Sequence, residues 1–137
     1  MEVVHGQPPN IEKIYDRFPD VRGKNAVFAY GNKIYNPGRD AVSKDVMVHE
    51  EVHEKQQAAH KGGVEGWWQQ YLDDAPFRLQ QELEAYAAQF RWYSMAATRR
   101  KSDAFLYRIA CDLAFMYDLN ISVGEAESRI RKLAMNV

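Results

Sequence analysis

Ser43-Lys44-Asp45-Val46-Met47-Val48-His49-Glu50-Glu51-Val52-His53-Glu54-Lys55-Gln56-Gln57-Ala58-Ala59-His60 is the stretch around which the rest of the sequence organises itself. Ser43 is a favoured N-cap, and Asp45 places an acid in the first turn, where the helix dipole stabilises it. Gly62-Gly63 supplies the stop signal beyond the last turn. The spacing predicts one helix from about Lys44 to His60. Within it, His49-Glu50-Glu51-Val52-His53 is an H-E-x-x-H sequence. Histidines four residues apart lie one turn apart on one face, about 6 Å along the axis. At about 100° per residue, with His49 at 0°, His53 falls at about 40° and Glu50 at about 100°. Glu54 at about 140° and Glu51 at about 200° turn away, and Val48, Val52 and Ala59 gather near about 260–300°. The helix is expected to pack on that apolar side while the adjoining side presents ligands.

Neutral imidazoles at this spacing reach a single Zn²⁺. Glu50 flanks the pair, placed to take a proton from a metal-bound water rather than to bind the metal. A zinc site of this kind needs a third protein ligand and an open fourth position. His60 does not supply it. It lies seven residues past His53, about 10 Å along an unbroken helix, and Gln56 and Ala59 occupy the glycine and third-histidine places of the longer three-histidine pattern. His60 reads instead as a helix-end cation or a rim group. A later helix offers Glu82 and Glu84, two residues apart, so only one can face inward. With Leu79 at 0°, Leu83, Tyr86, Phe90 and Tyr93 form a stripe within about 40° on either side. Glu82 falls at about 300°, on the edge of that stripe, and Glu84 at about 140°, on the opposite face. A carboxylate at the edge of an apolar stripe is costly unless paired or metal-bound. Glu82 is therefore the expected ligand, with Glu84 as the alternative.

An H-E-x-x-H helix followed by a glutamate on a later helix resembles the gluzincin branch of the zincin-type zinc metallopeptidases. Glu82-Leu83-Glu84-Ala85-Tyr86 resembles the E-x-x-A-[DN] signature of minimal gluzincins, and that register implies that Glu82 binds the metal. Tyr86 stands where the signature has Asp or Asn. The resemblance implies that its hydroxyl would support a metal-binding histidine less strongly than Asp or Asn would. The likeness covers roughly Ala26 to Tyr93. As a whole, the chain is also similar to small metallopeptidase-like proteins of phages and bacteria.

Outward from the motif, Asn10 is expected to cap a short helix reaching about Phe18, with Ile11, Ile14, Tyr15 and Phe18 on one face, after an irregular start that Pro8-Pro9 ends. Ala26-Val27-Phe28-Ala29-Tyr30 and Lys33-Ile34-Tyr35-Asn36 flank Gly31-Asn32, the pattern of an antiparallel hairpin. Zincins place an edge strand before the active-site helix to pair with an extended peptide, and Lys33–Asn36 stands in that place, either as such an edge or as one arm of a plain structural hairpin. A short aromatic helix is expected over Val64 to Leu72. Trp67, Trp68, Tyr71 and Leu72 then either wall the cleft or fill core. Asp74 and Pro76 open a helix to about Thr98. Arg99-Arg100-Lys101 follows as a basic turn, and Ser102 or Asp103 caps a helix to about Tyr117. Ser122 and Glu125 have capping-box spacing for a last helix to about Met135. Tyr71, Tyr86 and Tyr93 either steady an oxyanion or are core tyrosines with satisfied hydroxyls, and the sequence does not choose among them.

The chain has 137 residues, one domain's worth, with 18 Lys+Arg against 19 Asp+Glu and 46% hydrophobic residues. Balanced charge disfavours a nucleic-acid partner, so Arg99-Arg100-Lys101 and Arg129, Arg131 and Lys132 read as solvated helix ends. No apolar run approaches the roughly 20 residues of a bilayer span, and no secretory pattern opens the chain. The single cysteine, Cys111, fits a reducing, cytoplasmic setting. The expectation is one helix-rich α+β zincin-like domain over residues 1–137, with a small antiparallel hairpin beside the H-E-x-x-H helix. His49, His53 and Glu82 would hold one Zn²⁺, and Glu50 would be the general base for hydrolysis of a peptide or protein substrate. Two rival readings are a metal-bearing binding or regulatory protein on the same scaffold, and a helical interaction module whose histidine pair is incidental. Oligomeric state and substrate are not readable.

Overall fold

The computed structural model describes residues 1–38 and 40–136. Their backbones gather into two compact units, Met1–Asp73 and Asp74–Val137. The fold class is α+β, mostly helical with a small mixed sheet, as expected.

In the first unit, strands β1 (Glu2–Val4), β2 (Phe28–Tyr30) and β3 (Lys33–Tyr35) accompany helices α1 (Ile11–Arg17), α2 (Lys44–Ala59) and α3 (Gly63–Asp73). The hairpin forms where the Gly-Asn loop places it, with Phe28 opposite Tyr35 and Tyr30 opposite Lys33. Gly31 takes φ +64°, the left-handed conformation that glycine adopts without steric cost. Two expectations fail here. The start of the chain is not irregular, because Glu2–Val4 pairs parallel with β3. The sheet order is β1-β3-β2, so Lys33–Tyr35 is the middle strand and not an edge. Its two sides are taken by β2 and β1, leaving no row of backbone groups on β3 for an incoming peptide.

Ile11 and Ile14 of α1 are buried, as is Ile34 at the centre of the sheet. Pro19 then opens a single 3-10 turn, Pro19–Val21. Between α2 and α3 the chain turns sharply. A Cβ on Gly62 would come within 2.9 Å of the Gly66 Cα, so glycine is required for that close approach.

The second unit consists of α4 (Ala75–Ser94), α5 (Arg99–Met116) and α6 (Val123–Met135). Its core is the predicted α4 stripe of Leu83, Tyr86 and Phe90, joined by Phe105, Leu106, Ile109 and Leu113 of α5 and Ala126 and Ile130 of α6. Tyr93 stacks on Phe105 with centroids 4.0 Å apart and planes 5° from parallel. Side-chain caps set the helix starts. Asp74 Oδ1 accepts from the Phe77 amide at 3.1 Å, and Ser122 Oγ accepts from the Glu125 amide at 3.1 Å. Thr98 Oγ1 accepts from the Lys101 amide at 3.2 Å. That cap corrects the reading of Arg99-Arg100-Lys101 as a turn: the three residues are the first turn of α5, and neither Ser102 nor Asp103 is the cap. Arg78 of α4 is buried, donating from Nε to the Tyr117 carbonyl at 2.9 Å and from its terminal nitrogen to the Asp118 carbonyl at 3.2 Å. It thereby ties α4 to the end of α5, where Asp118 adopts φ +53°.

Candidate metal centre

The buried face of α2 is not its apolar side. His49, Glu50, His53 and Gln57 are the buried residues of this helix, whereas Val48 and Val52 are half-buried and Ala59 is exposed. The expected packing through the valines and Ala59 is therefore overturned. Burying a polar stripe is costly unless each group finds a partner, and the stripe is held by such partners. Gln57, fully buried one turn beyond His53, accepts from the Gly31 amide at 2.8 Å and donates to the Ala29 carbonyl at 2.9 Å. Both ends of its amide thus fasten α2 to the hairpin.

His49 and His53 stand edge to face, with ring centroids 4.9 Å apart and planes at 80°. The His53 Nδ1 lies 2.8 Å from the Gln56 Oε1. An amide oxygen only accepts, so the proton of this bond sits on Nδ1, and the lone pair of the neutral ring is on Nε2. Trp67 tilts against the His53 ring at 5.2 Å, and Tyr71 meets it edge-on at 6.4 Å. Trp67 and Tyr71 are themselves stacked at 4.9 Å. Trp68 turns elsewhere, donating to the Ala29 carbonyl at 3.0 Å. With Leu72, Lys13, Tyr30 and Glu65 it lines a cleft of roughly 730 Å³. All four residues expected either to wall the active-site cleft or to fill core are buried: Trp67 and Tyr71 back His53, whereas the cleft that Trp68 and Leu72 line includes neither histidine and is not the one expected. The Tyr30 hydroxyl in that cleft has its pKa raised, by burial first and then by the nearby charges of Glu65 and Tyr35.

Glu50 is buried beside His49 on α2. On α4, Glu82 is buried and Glu84 is exposed, where it accepts from Gln80 Nε2 at 3.1 Å. The choice of Glu82 over Glu84 from helix phase matches this burial. His49, His53 and Glu82 each offer one ligand atom, and these atoms lie within 4.8 Å of one another, a group able to hold a metal ion. Two imidazole nitrogens and one carboxylate oxygen form a donor set that suits a borderline-soft divalent cation.

The other candidates fall out differently. His60 ends α2 and is not a helix-end cation. Its Nδ1 accepts from the Gly62 amide at 3.0 Å, and its Nε2 bonds the Gln70 Oε1 at 2.8 Å, the pattern of a neutral ring. Tyr86 bonds through its hydroxyl to the Tyr117 hydroxyl at 2.7 Å, and half-buried Tyr93 stacks on Phe105 at the margin of the core. The sequence reading assigns no supporting role to Gln56 or Gln57. Gln57 continues the 49-53-57 stripe at helical spacing, a signal that was available; Gln56 carries no such signal.

Comparison with protein-family models, with curated protein sequences and with solved structures finds no match to this chain.

Proposed function

We propose that this chain is a zinc-dependent peptidase in which His49, His53 and Glu82 hold one Zn²⁺ and Glu50 moves the proton. The observation that carries the reading is the buried His49–His53–Glu82 group with Glu50, also buried, one residue along from His49. Zinc in such a site supplies Lewis acidity, lowering the pKa of a water toward about 7 and polarising a carbonyl. The residues supply the rest. His49 and His53 give neutral nitrogen donors, and the Glu82 carboxylate offsets one of the two positive charges. Glu50 accepts the proton of the attacking water and returns it to the amine nitrogen as the peptide bond breaks.

A second reading, a metal-bearing binding protein on the same scaffold, is favoured by one observation: β3 lies in the middle of its sheet and offers no edge to an extended peptide. Incubating zinc-loaded protein with a broad peptide library separates the two. Cleavage that stops on chelation and returns with zinc supports the peptidase. Full zinc loading without cleavage supports the binding protein.

A further inference from the structure

We infer that Gln56 is the positioning residue of His53, holding its ring in the tautomer that offers Nε2 to a metal. The inference rests on the metal reading above. Imidazole binds a metal only through a nitrogen that carries no proton. In solution the proton of a neutral ring moves between Nδ1 and Nε2. The Gln56 Oε1, 2.8 Å from Nδ1, holds it on Nδ1 and keeps the lone pair on Nε2. The hydrogen bond also limits rotation of the ring, which Trp67 and Tyr71 already back from one side.

Two features make this arrangement specific to the chain. The accepting group lies on the same helix as the ligand, three residues on, so one turn of α2 carries both the ligand and its orienting partner. The acceptor is also a neutral amide and not a carboxylate. It fixes the tautomer without adding a negative charge, leaving Glu82 as the anion of the ligand set. Gln57, the next residue, fastens the same turn to Ala29 and Gly31, so the backbone that carries Gln56 is anchored to the sheet.

The test uses the full-length protein, zinc ion as the probe, and the variants Gln56→Met and Gln56→Glu. Met keeps the length and helix preference of Gln and removes the acceptor. Glu restores an acceptor at the same reach. Two quantities are read: zinc affinity by competition with a chromophoric chelator, and the His53 tautomer in the metal-free protein by nitrogen-15 NMR of the ring. The expected result is an Nδ1-protonated ring in wild type and a mixed tautomer in Gln56→Met, which binds zinc about 10–100-fold more weakly. Gln56→Glu binds at least as tightly as wild type. Wild-type protein that binds zinc with the same affinity as Gln56→Met, or whose His53 carries its proton on Nε2, overturns the inference and leaves the metal reading standing. Wild-type protein that takes up no zinc overturns the metal reading, and the inference with it.

Discussion

His49 and His53, four residues apart on α2, face each other edge-on with ring centroids 4.9 Å apart. One helical turn produces that relationship, and it brings two donors to one place without help from any loop. A pair built this way is sensitive to either member. His49→Ala and His53→Ala are each expected to reduce bound zinc from about one per chain to near zero, measured by elemental analysis after purification. Undiminished metal in both variants would refute the assignment.

Glu82 and Glu84 differ by two residues and by burial. Glu82→Ala is expected to weaken zinc binding by more than about 100-fold, beyond what loss of a supporting group costs. Glu84→Ala, which removes an exposed partner of Gln80, should leave the affinity unchanged. A zinc titration that ranks the two variants the other way would contradict the placement.

Gln57 predicts a loss of stability separate from chemistry. Gln57→Leu removes the acceptor of the Gly31 amide, while the Ala29 carbonyl keeps its bond from Trp68. The expected cost is about 1–3 kcal/mol, read by urea denaturation. An unchanged midpoint would mean that the amide does not fasten α2 to the hairpin.

The raised pKa of Tyr30 gives a pH dependence. The folded protein holds this phenol protonated beyond the pH of about 10 at which an unfolded tyrosine ionises. Its contribution to stability is therefore fully present below about pH 10 and is lost as pH rises through the folded value. Tyr30→Phe should flatten that alkaline decline. Glu65→Gln should move the Tyr30 ionisation toward lower pH, read in an ultraviolet titration with Tyr30→Phe as the blank. A titration unchanged by Glu65→Gln would contradict the role given to that charge.

Much of this was legible in the residues, and the failures have physical causes. Ser43, Gly62 and the 49-53 spacing mark α2, and the Leu79-Leu83-Tyr86-Phe90 phase already separates Glu82 from Glu84. Those signals are local. Strand β1 is three residues long and exists because its backbone meets β3, a pairing that leaves no pattern in Glu2-Val3-Val4. The start of α5 was hidden because Arg99-Arg100-Lys101 has no apolar period, and only the Thr98 hydroxyl marks the turn as helical. The buried face of α2 does not follow from apolar periodicity, because His49, Glu50, His53 and Gln57 are buried in place of Val48 and Val52. The face is polar, and its burial is made tolerable by Gln56, Gln57 and the aromatic rings of α3.

The central claim is that Glu50 serves the proton and not the metal. The most direct measurement compares zinc-loaded wild type with Glu50→Gln, on any peptide that the wild type cuts, with the bound zinc counted in the same samples. Glu50→Gln keeps size and hydrogen bonding and removes the base. The account predicts a variant that holds about one zinc per chain, melts as wild type does, and cuts at least about 100-fold more slowly. A zinc-loaded variant that cuts as fast as wild type would contradict it.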